Sequence, residues 1–209
     1  MTRIIGGRLG GRTIPVPQRG TRPTSERVRE AVFSMLEALL GGPAGWADLA
    51  VADLYAGSGA LGLEALSRGA ARAVLVDSSR QAARLAGANA TALGLEAQVQ
   101  VVCAPVERSA SGRTLVRAGP FGLVFLDPPY ELAAPDLDRI LARLARSGPD
   151  LIKDGALVVV ERSARSAAPT WPSHWEPVDR RSYGDTAVHL GRAGHPLPNN
   201  PLRSAVTGS

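Results

Sequence analysis

The chain has 209 residues, 44% of them hydrophobic, with 24 Lys and Arg against 19 Asp and Glu for a formal charge of +5. That length and composition suit one ordinary globular domain with a substantial core, and no apolar run reaches the length of a membrane span. The single cysteine, Cys103, excludes an internal disulfide framework, and no apolar signal core follows Arg3, so a cytoplasmic protein is expected.

The positive charge is concentrated at the start. Up to Glu30 there are seven arginines (Arg3, Arg8, Arg12, Arg19, Arg22, Arg27 and Arg29) against Glu26 and Glu30, an excess equal to that of the entire chain. A basic arm on a neutral body is the electrostatic footprint of a polyanion binder, and a solvated arm without function is the alternative. Arg3-Ile4-Ile5 and Arg12-Thr13-Ile14-Pro15-Val16 flank Gly6-Gly7-Arg8-Leu9-Gly10-Gly11 and read as a small hairpin. Residues 17–23 read as a linker. The body is expected to supply its own core, so that removing the arm leaves it folded.

A helix begins at Thr24-Ser25, either of which could be the N-cap, with Glu26 favourable in the first turn. Val28, Ala31, Val32, Met35, Leu36 and Leu39 share one face, and Gly41-Gly42-Pro43 ends it. Beyond residue 50, strands near 50–55, 73–77, 98–103, 121–126 and 156–161 alternate with helices near 60–68, 79–93, 105–117 and 136–147. Such alternation predicts an α/β, Rossmann-like fold, mostly a parallel sheet with helices on both faces. Two last β runs, 176–183 and 186–191, surround Gly184-Asp185 and predict an antiparallel hairpin at one sheet edge. Trp171 and Trp175 read as packing there. Residues 193–209 read as a disordered tail.

Candidate chemistry collects at the strand ends, where open α/β sheets bind ligands. Gly57 to Gly62 spells G-x-G-x-x-G, and Asp77 follows at the end of the next strand, so a dinucleotide is a serious reading. Asp53, just before that turn, argues against it: a carboxylate repels a pyrophosphate but suits an ammonium. S-adenosylmethionine (SAM) fits better. Asp53 and the turn Ala56-Gly57-Ser58-Gly59 suit its zwitterionic methionine end. Asp77 suits its ribose diol, and Cys103-Ala104 ends the third strand where its adenine would lie. The fourth strand runs into Asp127-Pro128-Pro129-Tyr130. Two prolines make a stiff loop without N–H donors, and an ionised aspartate only accepts. That places a rigid row of acceptors beside a ring, which suits the exocyclic amine of a stacked nucleobase, although an ordinary strand-to-helix turn would use the same residues. His174, His189, His195 and Cys103 have no metal-ligand spacing, so no metal is expected.

Asp53 to Gly59, Asp77 and Asp127-Pro128-Pro129-Tyr130 resemble class I SAM-dependent methyltransferases that modify exocyclic amines. Arg3-Ile4-Ile5-Gly6-Gly7, Arg22-Pro23-Thr24, Arg27-Val28-Arg29-Glu30, Phe33, Ala56 to Ala65 and Tyr183-Gly184-Asp185-Thr186 are similar to the bacterial RsmD family, over roughly residues 3–191. Asp77 departs from the glutamate common in relatives, and either carboxylate can bind a diol. The resemblance implies methylation of a guanine N2 amine in small-subunit (16S) ribosomal RNA, naked or in an assembling subunit, by a monomer. It implies residues 1–23 as an RNA-contacting hairpin and linker (Arg3, Arg8, Arg12, Arg19, Arg22, with Arg27 beyond) and residues 24–192 as the catalytic domain. Thr24 joins the cofactor-binding set and Asp127, Pro128, Pro129 and Tyr130 form the catalytic set. Rival readings are a DNA or other RNA exocyclic-amine methyltransferase, a protein glutamine methyltransferase, which would more usually carry Asn in place of Asp127, and a non-catalytic RNA-binding assembly factor.

Overall fold

The structure is a computed structural model that describes residues 1–17, 25–110 and 113–194. Arg19, Arg22, Thr24, His195 and nearly all of the expected tail lie outside the described residues. Strands β1 (Thr2–Arg3) and β2 (Thr13–Ile14) pair antiparallel in a short hairpin, followed by helix α1 (Glu26–Leu39). The alternating body is β3 (Ala50–Leu54), α2 (Ala60–Ser67), β4 (Arg72–Asp77), α3 (Arg80–Ala92), β5 (Val99–Cys103), α4 (Val106–Ser109), α5 (Arg113–Ala118), β6 (Phe121–Leu126), α6 (Ala134–Arg146) and β7 (Ile152–Ser163). Strands β8 (Glu176–Tyr183) and β9 (Thr186–Arg192) complete it.

The seven-stranded sheet runs in the order β5-β4-β3-β6-β7-β9-β8. Strands β3 to β7 are parallel, and β9 lies antiparallel between β7 and β8. The expected terminal hairpin therefore forms, but its second strand enters the sheet and leaves β8 as the edge. Alternation along each strand sorts side chains to two cores. Val51, Leu123, Phe125, Leu157 and Val159 face α1, α2 and α3, whereas Ala52, Leu54, Val124, Leu126 and Val158 face α4, α5 and α6. Strand order reverses between β3 and β6, and at such switch points helices leave on opposite faces and open a crevice at the carboxyl ends.

Helix α1 starts where its sequence predicts, with the Ser25 hydroxyl accepting from the Val28 N–H at 3.2 Å. Its buried surface is wider than the apolar stripe: Phe33 stacks on Trp46 with ring centroids 5.7 Å apart, and Arg29 is 1% exposed.

The hairpin packs into the body. Ile4 and Ile14 are fully buried in the core shared with α1, α2 and β4. Glu64 of α2, itself fully buried, accepts from the Ile5 and Gly6 N–H groups at 2.6 and 2.9 Å and from Arg68 Nε at 2.9 Å. Arg29 donates to Thr2 Oγ1 and to the Arg3 carbonyl. Burial pulls the Arg29 guanidinium below its ordinary pKa, with Glu64 opposing that shift. This packing argues against the expectation that the body folds without these residues: without them Glu64 loses two of the three donors named above and the core loses two isoleucines.

Candidate active site at the carboxyl ends of the strands

The turn after β3 is built on unusual backbone. Tyr55, Gly57 and Gly59 have φ values of 69°, 55° and 80°, left-handed geometry that glycine adopts without penalty. At Gly62, a Cβ would stand 2.4 Å from Leu75 Cδ2, so a larger residue would force the buried Leu75 side chain or α2 to shift. Beneath the turn sits Asp53, 1% exposed, with Oδ2 accepting from the Gly62 N–H at 2.9 Å. Its Oδ1 is buried and has no hydrogen-bond partner among the described residues. Burial pushes this carboxyl up to about 7; the Gly62 bond opposes the shift, and the charges of Asp127 and Asp77 add to it.

Asp77 holds the other side of the turn. Its Oδ2 accepts from the Gly57 N–H at 2.9 Å and its Oδ1 from the Ser79 N–H at 2.8 Å. Each carboxylate oxygen has a second lone pair to offer. The strand ends are laced together, since Ala56 N–H donates to the Val76 carbonyl at 2.9 Å and Ala104 N–H to the Asp77 carbonyl at 3.0 Å. Cys103 is exposed and lies opposite Asp77 in the β4–β5 register. Thus Asp53, Ala56, Gly57, Ser58, Gly59, Asp77, Cys103 and Ala104 share one end of three adjacent strands. An ammonium is the complement that the buried, half-partnered Asp53 carboxylate lacks, so these residues fit the SAM expectation.

Across the switch point, the Asp127 N–H reaches the Leu54 carbonyl at 3.4 Å, which sets the loop after β6 beside the end of β3. Pro128 is buried, Pro129 is exposed, and Tyr130 is 46% exposed, a large ring left open to solvent. The Leu132 N–H donates to the Pro129 carbonyl at 3.0 Å, and Arg162 Nη2 donates to the Leu132 carbonyl at 2.8 Å. Arg162 is 4% exposed, so a buried guanidinium pins the loop that carries Asp127 and Tyr130. Under Asp127 a small cavity is lined by Val32, Leu61, Phe125, Val159, Glu161 and Val188.

The basic residues separate. Arg3 pairs with Glu26 at 3.0 Å, Arg8 donates to Gln98 Oε1 at 2.6 Å, and Arg12 donates to the Ala92 carbonyl at 3.3 Å. Gln98 immediately precedes β5 and Ala92 ends α3, so Arg8 and Arg12 lie at the opposite end of the sheet from Asp127. The structure does not bring them to the site. Arg27 does lie near it, exposed in a cleft with Ser25, Val28, Ser182, Tyr183 and Gly184.

This architecture matches known proteins along nearly its full length. The family model described as "Conserved hypothetical protein 95" matches residues 2–192. The chain is 36% identical over 190 residues to ribosomal RNA small subunit methyltransferase D of Escherichia coli K12, covering 90% of this chain and 88% of that one. It belongs to the RsmD family. Among solved structures of similar proteins, "Putative methyltransferase yhhF from Escherichia coli" superposes with a TM-score of 0.77 at 32% identity, covering 93% of this chain and 98% of that one. A hypothetical protein of Thermus thermophilus gives 0.72, also at 32% identity, covering 91% of this chain and 98% of that one. With the RsmD family established, the strand-end carboxylates belong to a class I methyltransferase fold.

Three features of this RsmD family member escaped the sequence reading. Asn89 is 1% exposed and its Nδ2 donates to both the Ser58 carbonyl at 2.9 Å and the Pro15 carbonyl at 3.0 Å, tying the glycine turn to the hairpin. Glu64 ties α2 to the hairpin. Arg162 supports the loop after β6. Glu64 and Asn89 are polar residues among small and apolar neighbours, the signal that could have singled them out; Arg162, between Glu161 and Ser163, carries no such signal.

Proposed function

We propose that this protein transfers the methyl group of SAM to the exocyclic N2 amine of a guanine in small-subunit ribosomal RNA. The observation that carries the reading is the pairing of Asp53, with its buried and unpartnered Oδ1, and the rigid Asp127-Pro128-Pro129-Tyr130 loop across one switch point. The name of the Escherichia coli relative supports ribosomal RNA of the small subunit as the substrate. A monomer acting in the cytoplasm belongs to the same reading, and no helix among the described residues is long and apolar enough to cross a membrane.

SAM supplies an electrophilic methyl carbon on a sulfonium. Asp53 would hold its ammonium and Asp77 its ribose hydroxyls. The guanine N2 lone pair is delocalised into the ring and is a poor nucleophile. Asp127 and the Pro128 carbonyl, accepting the two amine N–H bonds, localise that lone pair and stabilise the positive charge that develops on nitrogen. Tyr130 stacks on the base, which must leave its helix or be unpaired to reach the loop. The stiffness of two prolines and the Arg162 clamp keep these acceptors aimed before the substrate arrives.

The deciding measurement is mass spectrometry of ribosomal RNA from cells with and without the gene, together with methyl transfer in vitro to naked small-subunit RNA and to assembling subunits. A lost N2-methylguanine, restored by the wild-type protein and not by Asp127→Ala, is the expected result. Unchanged RNA with methyl transfer to DNA or protein would overturn the reading.

A further inference from the structure

We propose that the RNA crosses the tip of the β8–β9 hairpin and that the Ser163–Ser166 turn binds a phosphate next to the target nucleotide, with Arg165 as its cation. This rests on the methyl-transfer reading above.

Topology narrows the approach. The ends of β3, β4 and β5 carry Asp53, the glycine turn and Asp77, which are the residues suited to SAM. A polynucleotide must therefore reach Asp127 from the other half of the same pole, formed by the ends of β6 and β7 and by the turn between β8 and β9. Because β9 runs antiparallel, its first residue, Thr186, lies beside Ser163 at the end of β7 and beside Tyr183 at the end of β8. The hairpin tip thus stands next to the loop that carries Tyr130.

Two clefts flank that tip. One holds Arg27, Ser182, Tyr183 and Gly184. The other is lined by Tyr130, Ser163, Arg165, Ser166 and Asp185. The second combines a ring for a base, two hydroxyls and an exposed guanidinium, the groups that a nucleotide engages by stacking and by phosphate contact. Its backbone is held in place: the Ala164 N–H donates to the Asp185 carbonyl at 2.8 Å and the Ser166 N–H to the Ser163 carbonyl at 2.9 Å. Arg165 forms no ion pair among the described residues, unlike Arg3 and Arg181, which pair with Glu26 and Asp179. The Asp185 carboxylate in the same cleft disfavours an anion on its own side and suits a donor such as a ribose 2′-hydroxyl. The phosphate is accordingly assigned to the Arg165 side.

The test measures binding of unmodified small-subunit ribosomal RNA across a salt series, with steady-state kinetics, for wild type, Arg165→Gln, Arg165→Lys and Arg8→Gln. For Arg165→Gln, loss of one phosphate contact on single-stranded RNA should reduce the log–log salt slope by roughly 0.7. Its KM for RNA should rise about tenfold, the equivalent of one charged contact of about 1.4 kcal/mol. Its kcat at saturating RNA and its affinity for SAM should stay at the wild-type values. Arg165→Lys should recover the slope, because the charge is kept. Equal slopes for wild type and Arg165→Gln overturn the proposal, as does a larger loss in Arg8→Gln. Wild-type protein that binds and methylates other RNA or DNA but not this RNA sinks the substrate assignment; the slope of Arg165→Gln on the accepted polymer then still decides the phosphate site.

Discussion

The two halves of the catalytic pole are built differently. On the SAM side nearly every polar group is committed: Asp77 to two backbone N–H groups, Asp53 to Gly62, Asn89 to Ser58 and Pro15, Glu64 to the hairpin. Only Asp53 Oδ1 among these carboxylate oxygens is buried without a partner. On the acceptor side Pro129, Tyr130, Arg165 and Asp185 are exposed. A small ligand cannot organise its own site, so the chain fixes that half in advance. A structured RNA brings its own shape, and the chain needs only a stiff row of acceptors with an open approach. Substitutions on the first side should therefore cost stability and SAM binding together, while those on the second should cost turnover or RNA binding and leave the fold intact.

The largest effect is expected where the committed half meets the hairpin. Deleting residues 1–17 removes Ile4 and Ile14 from the core and strips Glu64 of two donors. Each isoleucine truncated to alanine should cost about 2–5 kcal/mol, against a typical total stability of about 5–15 kcal/mol. The deletion should yield no cooperative thermal transition. A well-folded truncated protein, seen by circular dichroism and calorimetry, would show that the hairpin is an appendage after all.

Next is Asp127→Ala, which should lower kcat on the order of a hundredfold to a thousandfold, the usual effect of removing one preorganised electrostatic partner. Its melting temperature and SAM affinity should barely move. A parallel fall in stability would erase the contrast between the halves.

Asp77→Ala should weaken SAM binding about tenfold to a hundredfold, because charged hydrogen bonds are worth roughly 1.5–3 kcal/mol. Unlike Asp127→Ala it should also lower the melting temperature, since the Gly57 and Ser79 N–H groups lose their acceptor. Calorimetric titration and thermal denaturation of one preparation give both numbers.

The smallest effect concerns Asp53. Its folded-state pKa lies above its unfolded value, so without ligand the protein loses stability as pH rises through the window from about 4 to about 7. Pairing with an ammonium favours the ionised form, so SAM affinity should decline as pH falls below about 7. Asp53→Asn should bind SAM weakly with that pH dependence removed. Equal pH profiles for wild type and variant would detach Asp53 from the ammonium.

The parallel body and its strand ends were legible because they are local signals. Five apolar runs alternate with helical patterns, and each of the first four runs ends in the residue types that the chemistry needs. The packing of the hairpin was not legible because its burial is not local. Ile4 and Ile14 lie in short β-prone segments whose partners are Glu64 and Asn89, some sixty to seventy-five residues away. Charge counting likewise could not separate Arg8, spent on Gln98, from Arg165, which forms no ion pair among the described residues. The place of β9 was hidden for a similar reason: a two-residue turn predicts a hairpin, but not which of its strands meets β7.

That placement sets an order on synthesis. Among the described residues strand β8 pairs only with β9, and β7 has no neighbour beyond β6 until β9 arrives. A nascent chain that has passed residue 183 therefore holds a finished parallel half, an open β7 edge and a β8 segment with nothing to bind. Val188, which lines the cavity under Asp127, comes with the same last strand. Arrested chains that end before Thr186 should be cut rapidly by protease between residues 164 and 185, and chains extended past Ala193 should resist. The cavity under Asp127 would then be closed only once β9 has entered the sheet between β7 and β8.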